Sequence, residues 1–95
     1  MERKNLGCFA ESRAGHDRGR IYIIIGEKGG LIELADGKKK TVENPKRKNR
    51  KHIVVSRHEA SAAISEKLFH DLSVTNEDVK RAIKCYHQRK ESPNA

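Results

Sequence analysis

The chain has 95 residues, a formal net charge of +8, and nearly equal shares of charged (36%) and hydrophobic (35%) residues. A chain this size makes one small domain that buries about 60–65% of its unfolded surface. No apolar run approaches the roughly 20 residues of a bilayer-crossing helix. The charge is local: from Lys38 to Lys51 eight cations face a single acid, Glu43, and hold nearly all of the excess. A concentrated patch creates a field that attracts a polyanion, whereas scattered lysines do not.

In chain order, Leu6–Ala10 reads as a short apolar strand ending at the polar stretch Glu11–Arg18. Ile21–Ile25 is five residues of high β-propensity with no polar interruption, the mark of a strand covered on both faces. Gly26–Gly30 is a turn, and Leu31–Ala35 is a third strand with one wetter face. Asp36-Gly37 is a strong type I′ hairpin signal, predicting that Lys38–Val42 returns as a fourth strand. Asn44-Pro45 ends it, because proline cannot donate to a ladder. Lys46–Lys51 then reads as a basic loop and His52–Val55 as a fifth strand.

The second half changes period. Ala60, Ala63, Ile64 and Leu68 share one helical face, with Ser56 and Glu59 at capping-box spacing. Around Asp71–Val74 the chain links to a second helix, which Thr75 and Asp78 cap and whose stripe is Val79, Ala82, Ile83 and Tyr86. Ser92–Ala95 reads as a frayed end. The expected architecture is mostly β with C-terminal helices: a small, bent antiparallel barrel of about five strands over residues 1–56, and a helical extension over 57–95.

The segment Gly15-His16-Asp17-Arg18-Gly19-Arg20, running into Ile21-Tyr22-Ile23, resembles the KOW motif. The likeness is to KOW-bearing large-subunit ribosomal proteins of archaea and eukaryotes, and most to short bacterial KOW-domain RNA-binding proteins. They share the Gly-x-Asp-Lys/Arg-Gly-Lys/Arg loop, an aliphatic strand, and a later Asp-Gly pair, here Asp36-Gly37. The likeness continues through Asn44-Pro45-Lys46-Arg47-Lys48, weakens after about Ile53, and returns in a helix opening as Thr75-Asn76-Glu77-Asp78. It departs at Tyr22, where the broader pattern has another glycine. The resemblance implies an SH3-like barrel and a cytoplasmic, non-enzymatic RNA-binding protein, associated with ribosomal RNA or the large ribosomal subunit.

The residues support such an interface on their own. Gly15 and Gly19 permit tight turns, while Arg13, Arg18 and Arg20 offer forks that match phosphate oxygens. His16 and His52 lie in the basic segments, beside Lys38, Lys39, Lys40, Lys46, Arg47, Lys48, Arg50 and Lys51. If the arginine loop and the Lys46–Lys51 segment adjoin, one basic surface results. Five phosphate contacts on it would make log K fall about 4.5 units per decade of salt. Reversing Lys46, Arg47 and Lys48 to glutamate is expected to abolish binding while leaving the fold intact. Phe9, Tyr22, Phe69 and Tyr86 all sit in apolar patterns, so they read as core residues and not as stacking platforms, which favours folded RNA over single strands.

Competing chemistry finds little support. No Cys-x-x-Cys, His-x-x-x-His or His-Glu-x-x-His spacing is present, so no metal and no cofactor is expected. No nucleophile–base pair or P-loop appears, and no enzyme is expected. Cys8 and Cys85 read as reduced thiols of a cytoplasmic monomer. The alternative is a protein-interaction module in transcription or translation, docking a partner through the Val79–Tyr86 stripe. DNA is a weaker third choice, and no membrane role is expected.

Overall fold

The computed structural model describes residues 6–56, 62–70 and 73–91, with 62, 63, 69 and 89–91 by backbone alone. Its elements are β1 (Phe9–Ser12), β2 (Ile21–Lys28), β3 (Leu31–Ala35), β4 (Lys46–Lys48), a 3₁₀ turn (Arg50–His52), β5 (Ile53–Ser56), α1 (Ala62–Phe69) and α2 (Asn76–Glu91). The strands form one antiparallel sheet in the order β4-β3-β2-β1-β5. Glu59 of the expected first-helix cap, Asp71 and Leu72 of the link, and Ser92–Ala95 lie outside the described residues.

β2 is the central strand, and its uninterrupted apolar run Ile21–Ile25 reflects burial from both sides. On one face Tyr22 and Ile24 pack with Leu6, Cys8, Ala10, Ile32, Leu34 and Ile53. On the other, Ile23 packs with Phe9 and Ala35 under Ile64 of α1 and Val79 of α2. The Val79–Tyr86 stripe of α2 therefore covers the sheet. Val79 is fully buried, and the Tyr86 ring lies 4.7 Å from that of Phe9. α2 begins as its capping box requires: the Asp78 amide donates to Thr75 Oγ1 and the Thr75 amide to Asp78 Oδ2, each at 3.1 Å. Lys67 of α1 reaches the same Asp78 carboxylate at 3.0 Å, which joins the two helices.

The fourth strand is not where the Asp-Gly signal puts it. Lys38–Val42 forms no strand, because other groups take its backbone. The Asp36 carboxylate accepts the amides of Lys38 and Lys40, both at 2.9 Å, and closes a tight loop. Val42 donates its amide to Asn76 Oδ1 at the start of α2, at 2.9 Å. Gly37, with φ +79°, lies under that helix end, where a Cβ would stand 2.5 Å from the Asn76 carbonyl oxygen. The strand forms instead at Lys46–Lys48, immediately after Pro45, in the segment expected to be a basic loop.

The register of that strand decides where its lysines point. Lys46 pairs with Leu34 and Lys48 with Ile32, two residues of the first core face, while Arg47 pairs with Glu33 on the opposite face. Alternation therefore turns both lysines inward. In a flat sheet β4 would lie about 14 Å from β1. Lys48 nonetheless reaches the loop that follows β1, donating to the Ala14 carbonyl oxygen. The sheet is strongly curled, although β4 and β5 do not pair and it is not closed.

Candidate nucleic-acid interface

The loop between β1 and β2 is built around Asp17. Backbone bonds tie its ends: Ser12 donates to Arg20 at 3.0 Å, Gly19 to Ser12 at 2.8 Å and Arg20 to Asp17 at 2.9 Å. Gly15 and Gly19 have φ of +83° and +90°, the left-handed conformation that glycine adopts without strain. The turn sends the Asp17 side chain inward, where it is 7% exposed. Its Oδ1 accepts Ser12 Oγ at 3.0 Å and meets Lys48 Nζ at 3.1 Å. Its Oδ2 accepts the Tyr22 hydroxyl at 3.0 Å and meets Lys46 Nζ at 3.2 Å.

Burial works to raise the Asp17 pKa, but the bonds from Lys48, Tyr22, Ser12 and Lys46 together prevail and hold it far below the usual carboxylate range. Burial and the adjacent Asp17 charge push the Tyr22 hydroxyl the other way, well above its ordinary value. Lys48 also donates to the Ala14 carbonyl oxygen at 2.5 Å. A buried ion pair of this kind adds little net stability, since desolvation offsets much of the attraction, but losing one partner is costly. Its effect is positional: it holds the loop against β4.

Around this buried cluster the remaining cations face solvent. Arg13, His16, Arg18 and Arg20 are exposed on the loop, and Arg13 shares its charge with Glu11 at 3.4 Å. Lys38 and Lys39 are exposed on the Asp36 loop, with Lys40 half-buried. Arg50, Lys51 and His52 are exposed on the 3₁₀ turn, which Asn49 caps by accepting the Lys51 amide at 3.2 Å. The two basic segments adjoin, as the Arg13–His52 backbone bond requires.

Three of the cations in the basic run have carboxylate partners within the protein, Lys46 and Lys48 inside and Arg47 on the exposed face. Lys46 and Lys48 pair with Asp17, and Arg47 pairs with Glu33 at 3.3 Å. The exposed rim is therefore less charged than the sequence suggests. The triple reversal of Lys46, Arg47 and Lys48 would put two carboxylates against buried Asp17 and disturb the fold, contrary to expectation.

Sequence reading missed two groups. One is the Ser12–Tyr22 pair on Asp17, whose only signal was polar atoms in otherwise apolar strands. Tyr22, the departure from the motif, supplies the hydroxyl that binds Asp17. The other is the outward face of α2, where Lys80, Arg81, Lys84, His87 and Gln88 line a groove with Arg20 and Lys38. Their helical spacing was legible but overshadowed by the denser run.

Of the aromatic residues, Phe9 and Tyr22 are buried, Tyr86 packs on Phe9, and the Phe69 side chain is outside the described set. Among the described residues no three His, Cys, Asp or Glu side chains gather as a metal site, and no helix is long and apolar enough to cross a membrane. No protein-family model and no curated protein matches the chain.

Proposed function

We propose that this chain is a non-enzymatic RNA-binding protein of the KOW type, contacting structured RNA, and ribosomal RNA in particular, through phosphates on its basic loop surface. The observation that carries this reading is the Asp17 cluster. It spends two lysines on holding the loop in place, and leaves Arg13, Arg18 and Arg20 on a preorganised rim beside Lys51 and Lys38. Preorganised cations bind phosphates without an ordering cost at the moment of binding. Burial of the aromatics supports backbone contact over base stacking. The strand order, with β5 returning to β1 and a 3₁₀ turn between β4 and β5, supports an SH3-like arrangement.

The protein-docking alternative loses its proposed surface, because the Val79–Tyr86 stripe lies on the sheet. Sedimentation of tagged protein from lysate at low and high salt, with and without ribonuclease, tests the reading. Migration with the large ribosomal subunit that is lost on nuclease or salt treatment supports it. Migration free of ribosomes under all conditions refutes the ribosomal assignment.

A further inference from the structure

A groove of about 950 Å³ runs between the end of the β1–β2 loop (Gly19–Ile21), the Asp36–Lys38 turn and the outer face of α2. Three separate elements wall it, and all three contribute cations: Arg20, Lys38, and Lys80, Arg81 and Lys84. Its two acids are already occupied. Asp36 accepts the Lys38 and Lys40 amides, and Glu77 pairs with Lys80 at 2.8 Å. Arg20, Lys38 and Lys84 have no carboxylate partner among the described residues. The groove therefore carries a net positive charge that nothing within the described fold neutralises.

Ile21 and Ile83 supply apolar surface to the groove, and Gly19 leaves open backbone at its edge, where a Cβ would meet nothing within 4 Å. Small-molecule sites are mostly apolar and bury most of their ligand. This one is open, and seven of its twelve lining residues are charged, five of them cations, which suits an extended polyanion that passes through. Arg20 lies both on the loop rim and in the groove, so the two surfaces are continuous.

We propose that the groove holds the sugar-phosphate backbone of an RNA strand, with Arg81 and Lys84 of α2 and Arg20 and Lys38 opposite as its phosphate contacts. The proposal rests on the RNA-binding reading above and extends the interface from the β1–β2 loop onto the helix. Helix α2 then has two functions set by its two faces: Val79 and Tyr86 close the core, and the basic row grips the strand.

The test measures affinity for purified large-subunit ribosomal RNA over a range of salt. It compares the wild type with the double variant R81Q/K84Q and the rim variant R13Q/R18Q/K51Q. Arg81 and Lys84 are exposed, so the double variant keeps the fold, which a thermal melt verifies. Losing two phosphate contacts should weaken binding about tenfold and lower the salt slope by about 2. If R81Q/K84Q binds like the wild type while the rim variant loses affinity, the groove proposal is overturned and the RNA reading stands. If the wild type binds polyglutamate but not RNA, both are overturned, and the groove accepts acidic peptide instead.

Discussion

Lys48 Nζ lies 3.1 Å from Asp17 Oδ1 and 2.5 Å from the Ala14 carbonyl oxygen, so an edge-strand lysine anchors a loop 34 residues earlier. The contact exists because Lys48 faces inward opposite Ile32, and the curl of the sheet brings β4 to the β1–β2 loop. The densest part of the basic run thus contributes to architecture as well as to charge.

Replacing Lys48 with alanine should be the most damaging single change in the basic run. Its side chain is 11% exposed, and its loss leaves a buried carboxylate short of a partner. The expected cost is about 3 kcal/mol, or a fall in Tm of at least about 10 °C for a domain of this size. Lys39→Ala, on an exposed loop, should move Tm by no more than a few degrees. Thermal melts of the two variants, followed by circular dichroism, decide between them.

Stability should decline at both ends of the pH scale, for opposite reasons. The folded Asp17 pKa is depressed, so its contribution is present above the ordinary value of 3.8 and disappears as pH falls through the folded value. The folded Tyr22 pKa is raised, so its contribution is present below the ordinary value of 10.0 and disappears as pH rises beyond that. Urea melts across pH should show Tyr22→Phe flattening the alkaline decline and Asp17→Asn the acid one, with each variant less stable at neutral pH.

The rim can be tested without touching the Asp17 cluster. Neutralising Arg18, Lys38 and Lys51 to glutamine removes three exposed charges. The slope of log K against log salt for ribosomal RNA should become shallower by about 2.5–3, while Tm stays close to that of the wild type. An unchanged slope would place the phosphates elsewhere.

Gly37→Ala should loosen the contact between the Asp36 loop and α2. The residue sits at φ +79°, and its Cβ would press on the Asn76 carbonyl oxygen and the Lys80 side chain. A destabilisation of about 1–3 kcal/mol is expected, with hydrogen exchange accelerated in the first turn of α2 before the central strands.

Several elements were legible because local rules govern them. The Ile21–Ile25 run became the buried heart of β2, and Leu31–Ala35 is β3 as expected. Thr75 and Asp78 cap α2 because a capping box is complete within four residues. The Asp36-Gly37 signal misled for an equally concrete reason. Val42, needed for a returning strand, gives its amide to Asn76, 34 residues away. Lys46–Lys48 looked like a loop because three cations in a row carry no apolar alternation, although the backbone alternates all the same.

The first strand, expected at Leu6–Ala10, lies at Phe9–Ser12, whereas from the sequence alone came β2 and β3, the cap and apolar stripe of α2, the concentration of charge and the glycine-bearing loop. All of these depend on neighbours within a few residues, where spacing and propensity are decisive. Which cations face outward was decided only by the tertiary structure. Burial of Asp17 depends on Ser12, Tyr22, Lys46 and Lys48 converging from three strands, and charge in a buried carboxylate is tolerated only where such donors meet it. That convergence is a property of the curled sheet, which short-range patterns do not encode.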